Sequence, residues 1–206
     1  VRDPGDGDHL AQPARAEGGG VSRVLALLAL AATAGAGAQH VPYKATPHEY
    51  VKPMLDLAQL RAGDVVYDLG CGDGRILIAA VKRGRGIRGV CVEIDPKVLQ
   101  WAKDAAATAG VAARIKFVEG DWFKVPISDA TVVCLYMPHT MVAQLKPRLL
   151  ADLRPGTRVV FLRQGARVVS PETGMGDWKP DTFVDLDKPF FATLYRWTIP
   201  RRETRR

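Results

Sequence analysis

Val65-Val66-Tyr67-Asp68-Leu69-Gly70-Cys71-Gly72-Asp73-Gly74-Arg75-Ile76 runs from apolar residues through a carboxylate and three glycines into a helical stretch. Its first five residues are mostly β-branched, aromatic or aliphatic, which predicts a buried strand. Gly70, Gly72 and Gly74 predict a tight turn, because residues without a Cβ turn sharply and let a ligand approach the backbone. A strand feeding such a turn and then a helix opens a βαβ unit, whose ligand crevice lies at the carboxyl end of the strand.

The rhythm continues on both sides of this unit. Strand-like apolar runs follow at Gly89–Glu93, Ile115–Glu119, Thr131–Tyr136 and Arg158–Leu162, with helical segments at Arg75–Arg83, Pro96–Ala109 and Thr140–Leu153. Upstream, Thr46 reads as an N-cap with Pro47 at the first helical position, and Tyr50, Val51, Met54, Leu55 and Ala58 form a helical stripe. Alternating helices and near-continuous apolar strands predict an α/β, doubly wound, Rossmann-like parallel sheet covered on both faces. After Leu162 the pattern changes. Thr182–Leu186 and Phe190–Ile199 are separated by only three residues, too few for a parallel crossover, so five parallel strands are closed by an antiparallel C-terminal hairpin.

Two ligands compete for the glycine turn. A dinucleotide takes G-x-G-x-x-G and rests its pyrophosphate on the helix N-terminus. The spacing here is G-x-G-x-G, flanked by Asp68 and Asp73. Carboxylates repel a pyrophosphate, whereas S-adenosylmethionine has no phosphate and carries an ammonium and a sulfonium, so the acidic turn favours it as cofactor. Glu93 ends the second strand, 25 residues after Asp68, and suits a carboxylate accepting both ribose hydroxyls. A dinucleotide site also wants an acid near that distance, so Glu93 discriminates only in combination. Asp121, after the third strand, is placed to accept from an adenine amino group while Ile94 or Trp122 packs on the ring.

On Asp68–Gly74, Glu93 and Asp121, residues from about Tyr43 to Ile199 resemble class I, seven-strand S-adenosylmethionine-dependent methyltransferases. More narrowly, the chain is similar to the mitochondrial lysine methyltransferases that modify the adenine nucleotide translocase and the ATP synthase c-subunit, and to their bacterial relatives. The supporting stretches are Asp68 to Ile76, Leu145-Lys146-Pro147-Arg148-Leu149, Gly156-Thr157-Arg158-Val159-Val160 and Trp178-Lys179-Pro180-Asp181. Cys71 stands where those enzymes would have serine. The resemblance implies methyl transfer to a nucleophile, foremost a protein lysine amine, and a cofactor set of Asp68, Gly70, Cys71, Gly72, Gly74, Glu93, Ile94, Asp121 and Trp122. Tyr43 and Thr46 precede the first helix, in a segment that in this superfamily often folds over the cofactor; plain packing is their other reading.

Transfer from a sulfonium is an in-line displacement that needs nucleophile and methyl held at about 3–3.5 Å. A lysine acceptor must first lose its proton, which a desolvated pocket promotes. Leu135-Tyr136-Met137-Pro138-His139 ends the fourth strand, where that pocket would open, and lacks the Asn/Asp-Pro-Pro-Tyr/Phe loop of enzymes acting on exocyclic base amines. Tyr136 is the catalytic candidate, lining an amine channel, with core packing as the alternative. Pro138 and His139 join it on the substrate side, where His139 is either a general base or a helix cap. Trp178 either walls the substrate entrance or caps the core. Lys82, Arg83, Arg85 and Arg88 are read as a solvated cluster complementing a helix end.

The chain has 206 residues, 47% of them apolar and 25% charged, which excludes a disordered or collagen-like protein. Three cysteines are too few for a disulfide framework, and no Cys-x-x-Cys or His-x-x-x-His spacing points to a metal. The net charge is +7. It attracts anionic partners without identifying them, and the absence of an aromatic-interleaved basic stripe disfavours nucleic acid.

Residues 1–20, rich in Gly, Asp, Ala and Pro, are expected to be disordered. Arg23, the apolar run Val24 to Ala34 and the small residues up to Gln39 have the layout of a signal peptide or, over residues 21–38, a marginal membrane anchor. Val21 then reads as the true start. The domain follows over residues 40–200 and a basic tail over 201–206. These features place the protein at the cell envelope, with the cytoplasm as alternative. An RNA or small-molecule methyltransferase using the Arg201–Arg206 tail as a tether, and a non-catalytic cofactor-binding protein, are the competing functions. Oligomeric state stays open.

Overall fold

The computed structural model describes residues 43–165, 175–188 and 191–201. The N-terminal extension, the leader or anchor segment, most of the basic tail and Phe190 lie outside the described residues. Among the described residues no helix is long and apolar enough to cross a membrane.

Among the described residues four α-helices, α1 (His48–Leu57), α2 (Arg75–Lys82), α3 (Pro96–Thr108) and α4 (His139–Asp152), flank seven strands. The strands are β1 (Val65–Leu69), β2 (Arg88–Glu93), β3 (Ile115–Glu119), β4 (Val132–Leu135), β5 (Arg158–Gln164), β6 (Thr182–Leu186) and β7 (Ala192–Thr198). They form one sheet in the order β3-β2-β1-β4-β5-β7-β6. β1 to β5 are parallel, while β7 runs antiparallel to both β5 and β6. The expected five parallel strands and closing hairpin are therefore present. The sheet direction of travel reverses between β1 and β4, which makes their carboxyl ends the switch point where open α/β sheets take ligands.

Apolar residues of β1, β2 and β4 are buried on both sides, because helices cover both faces. One core joins Tyr50, Met54, Leu77 and Leu99 from α1, α2 and α3 to Val66 and Cys134 of the sheet. The other joins Met141, Leu145 and Leu149 of α4 to Leu69, Phe161 and Trp197.

Three features depart from expectation beyond shifts of a residue or two at other element ends. Pro47, not Thr46, is the N-cap of α1, with an extended ψ of 138° and no side-chain capping bond. Thr46 precedes a proline, which disfavours helical backbone; it is buried, and its carbonyl accepts from Arg75 Nη1 at 2.7 Å. β5 continues two residues past Leu162, since its antiparallel pairing with β7 extends to Gln164 opposite Ala192. Cys71 and Cys91 form a disulfide, with Cα atoms 5.2 Å apart. Two of the three cysteines thus make a single staple where no framework was expected.

Candidate active site

The turn after β1 needs its glycines. Gly70, Gly72 and Gly74 all have positive φ, at 82°, 56° and 76°, a region that costs other residues a Cβ clash. At Gly72 a Cβ would stand 2.5 Å from the Tyr43 ring, and at Gly70 it would meet the Trp122 indole at 3.5 Å. The turn is folded back onto β2: the Gly70 and Cys71 N–H groups both donate to the Val92 carbonyl, and the Cys71 side chain is tied to Cys91 of that strand. Cys71 can therefore offer a ligand its backbone but no free thiol.

Glu93 is buried at the end of β2. Its Oε2 accepts from Gly72 N at 3.1 Å, and its Oε1 from Ile94 N at 2.9 Å and Asp95 N at 3.2 Å. It joins the turn to the start of α3, and a carboxylate's roughly four acceptor positions leave room for a further donor. Asp121 stands behind Trp122. Its Oδ1 accepts from Phe123 N, and its Oδ2 is buried without a hydrogen-bond partner, Lys124 Nζ lying 3.6 Å away.

The acidic character of the turn is narrower than its sequence suggests. Burial raises Asp73, but bonds from the Arg75 side chain and backbone outweigh it and hold the carboxyl low. Its charge is matched by the Arg75 guanidinium, which also ties the turn to Thr46. Asp68 is the reverse case. Burial above all, then Glu93 and Asp73, pushes its carboxyl well above the usual range, so this group gains most from a cation placed beside it.

These elements frame a cleft of about 460 Å³ whose walls include Gly70, Glu93, Ile94, Val98 and Trp122 at one end and Tyr136, Met137, Pro138, His139 and Gln164 at the other. A recess beside it, lined by Asp68, Thr46, Gly72 and Asp73, shares Tyr43, Lys44, Gly70 and Tyr136 with the cleft. The family model of the ANTKMT methyltransferase domain matches residues 68–163. A protein-lysine N-methyltransferase of Saccharolobus islandicus is 39% identical over 161 residues, 78% of this chain and 94% of that one. The chain belongs to this methyltransferase family. It is an S-adenosylmethionine-dependent enzyme. The ATP synthase c-subunit lysine N-methyltransferase of Xenopus laevis is 32% identical over 60% of the chain, which spans about half (53%) of that relative. An RNA methyltransferase of Salinibacter ruber, crystallised with S-adenosylhomocysteine, is 44% identical with a TM-score of 0.68, covering 79% of this chain and 98% of that one.

The residues present in the methyltransferase fit its donor. Ile94, Val98 and Trp122 offer an apolar slot, Glu93 faces the cleft, and Asp68, in the adjoining recess, wants a cation. Asp121 does not itself line the cleft; it precedes Trp122, which does, and its buried Oδ2 has no hydrogen-bond partner. When bound, S-adenosylmethionine supplies an electrophilic methyl group. The residues lining the cleft and its recess would hold and orient it there. Tyr43 lies over Gly72 and packs edge-on to Trp101 at 5.8 Å, as a lid residue would, whereas Thr46 contributes mainly through its carbonyl.

On the substrate side Tyr136, Pro138 and His139 all line the cleft. Trp178 does not. Its carbonyl accepts from Trp197 Nε1 at 2.8 Å and its ring lies 6.0 Å from that of Trp197, so it caps the core, the second of its two expected readings. Lys44 and the β5 end residues Leu162, Arg163 and Gln164 also line the cleft and were missed from sequence. The adjacency of β4 and β5 in a parallel sheet was the available signal: residues ending neighbouring strands must share one edge.

Proposed function

We propose that the methyltransferase modifies a lysine side-chain amine of a protein. The observation that carries this reading is Lys44 Nζ, 5.9 Å from the centroid of the Tyr136 ring inside the cleft. An alkylammonium already rests against the wall that the acceptor would use, within the reach of a cation–π contact. Met137, Pro138, Phe161 and Leu162 supply apolar surface there, and desolvation favours the neutral amine that attacks. The named activity of the Saccharolobus and animal relatives supports the same acceptor. The name of the Salinibacter relative supports RNA instead, although Leu135-Tyr136-Met137-Pro138 offers no loop of the kind that orients a planar base amine. Incubation with labelled donor and an extract of cells lacking the gene separates the two. Label removed by protease and recovered as methyl-lysine is the expected result; label removed by ribonuclease would replace the lysine reading with RNA.

We also propose that the domain works at the cell envelope, held there or carried there by residues 21–38. The Cys71–Cys91 disulfide supports this, because cytosolic thiol systems keep such pairs reduced. Fractionation of native cells with thiol trapping tests it. Recovery of the protein in the cytosol with both thiols free would overturn it.

A further inference from the structure

Tyr136 follows β4 directly and Gln164 is the last residue of β5, so adjacent parallel strands deliver both to one edge of the cleft. The Tyr136 hydroxyl donates to Gln164 Oε1 at 2.6 Å. That length is ordinary for an O–H···O bond, and the amide presents its oxygen to the phenol. A tyrosine hydroxyl has one proton and two acceptor lone pairs. With the proton committed to Gln164, the oxygen is left as an acceptor at the wall where the Lys44 ammonium lies against the ring.

We propose that Gln164 is a positioning residue for methyl transfer. It fixes the phenol rotor of Tyr136 so that the oxygen receives an N–H of the acceptor amine and aims the nitrogen lone pair along the cleft. Were the hydroxyl free to rotate, its proton would meet that N–H in part of the population and misalign the nucleophile, and small misplacements are costly in a displacement. Gln164 itself touches neither donor nor acceptor in this scheme. The inference rests on the reading that Tyr136 lines the acceptor side.

The test compares wild type, Q164L, Q164E, Y136F and Q164L/Y136F, using labelled donor and protein extract from cells lacking the gene. S-adenosylhomocysteine affinity serves as the control for fold and donor site. Q164L is expected to lower kcat about tenfold, the effect of one lost positioned hydrogen bond, with donor affinity unchanged. Q164E, which keeps an acceptor for the phenol proton, is expected to restore most of the rate. In the Y136F background Q164L is expected to cost nothing more. Independently of turnover, the NMR signal of Tyr136 in protein labelled at tyrosine Cζ is expected to move in Q164L and to stay near its wild-type position in Q164E. An equal loss from Q164L in both backgrounds, or an unmoved Tyr136 signal, would overturn the role of Gln164. A Y136F enzyme as fast as wild type would overturn the acceptor-side placement of Tyr136 as well, which distinguishes the two failures.

Discussion

At the residue scale the donor site depends on a glycine and a buried acid. G72A places a side chain at a φ of 56° and 2.5 Å from the Tyr43 ring. The left-handed conformation costs about 1–2 kcal/mol, and the ring must swing away, opening the lid over the turn. Gly156 is the matched control, with φ of 87° and nothing within 4 Å of where a Cβ would stand. Calorimetry with S-adenosylhomocysteine should show roughly a tenfold or greater loss of affinity for G72A and none for G156A, although both variants lose stability. Asp68 is expected to make donor binding pH-dependent. Its carboxyl is raised in the folded protein by burial and then by Glu93 and Asp73, so the ligand-free native state holds a proton that the unfolded chain has released. Between the ordinary value of 3.8 and the raised one the native state binds more protons, and stability of the ligand-free protein falls as pH rises through that window. A cationic donor beside Asp68 draws the carboxyl back toward ionisation. Binding should therefore release protons and tighten with rising pH, visible as a dependence of the calorimetric heat on buffer ionisation enthalpy. In D68N that dependence should shrink; an unchanged one would place the released proton elsewhere.

Among the elements, the turn after β1 and strand β2 act as one piece. The Val92 carbonyl takes two N–H groups from the turn, Glu93 takes a third, and the disulfide adds a covalent tie across 20 residues of sequence. A closed loop of that size restricts the unfolded chain by about 3 kcal/mol. Replacing both cysteines, as C71S/C91A, should lower the thermal midpoint and weaken S-adenosylhomocysteine binding several-fold, since a looser turn must be ordered on binding. Wild type in strong dithiol should behave like the variant, and equal donor affinity in all three states would separate the staple from the site. The sequence pattern made this region legible as a strand, a glycine turn and a helix, because apolar runs and glycine spacing are local signals. It did not reveal the disulfide. That pairing follows from register, Asp68 lying opposite Cys91 in the parallel ladder so that the turn brings Cys71 back over it. The same limit hid Gln164: β5 continues to it only because β7 pairs there, a contact made by a strand far later in the chain. Trp178 was ambiguous for a related reason, its position being set by the Trp197 indole of the closing strand.

For the molecule as a whole, the fold is anchored at the opposite end of the sheet from the cleft. Arg158, at the start of β5, donates to Asp64 Oδ1 at 2.5 Å and to the Ala58 carbonyl at 2.8 Å, and it also reaches the Gln59 carbonyl. It thereby closes the C-terminal end of α1 against the entry to β1, and Arg196 of β7 adds a bond to Leu57 O. Asp64 is further held by Arg61 N and the Thr131 hydroxyl. Breaking a buried ion pair by removing one partner costs about 3–5 kcal/mol, and the two remaining donors to Asp64 put R158M at the lower end of that range. For a domain of this size each kcal/mol moves the thermal midpoint by about 2–4 °C, so R158M should melt roughly 6–12 °C lower. D64N/R158M should recover part of that loss, because no unmatched charge is left buried. S-adenosylhomocysteine affinity at a temperature where the variant is folded should be unchanged, since neither residue lines the cleft. If affinity fell in proportion to stability, the two ends of the sheet would be coupled and the donor turn would depend on more than its own strand and staple.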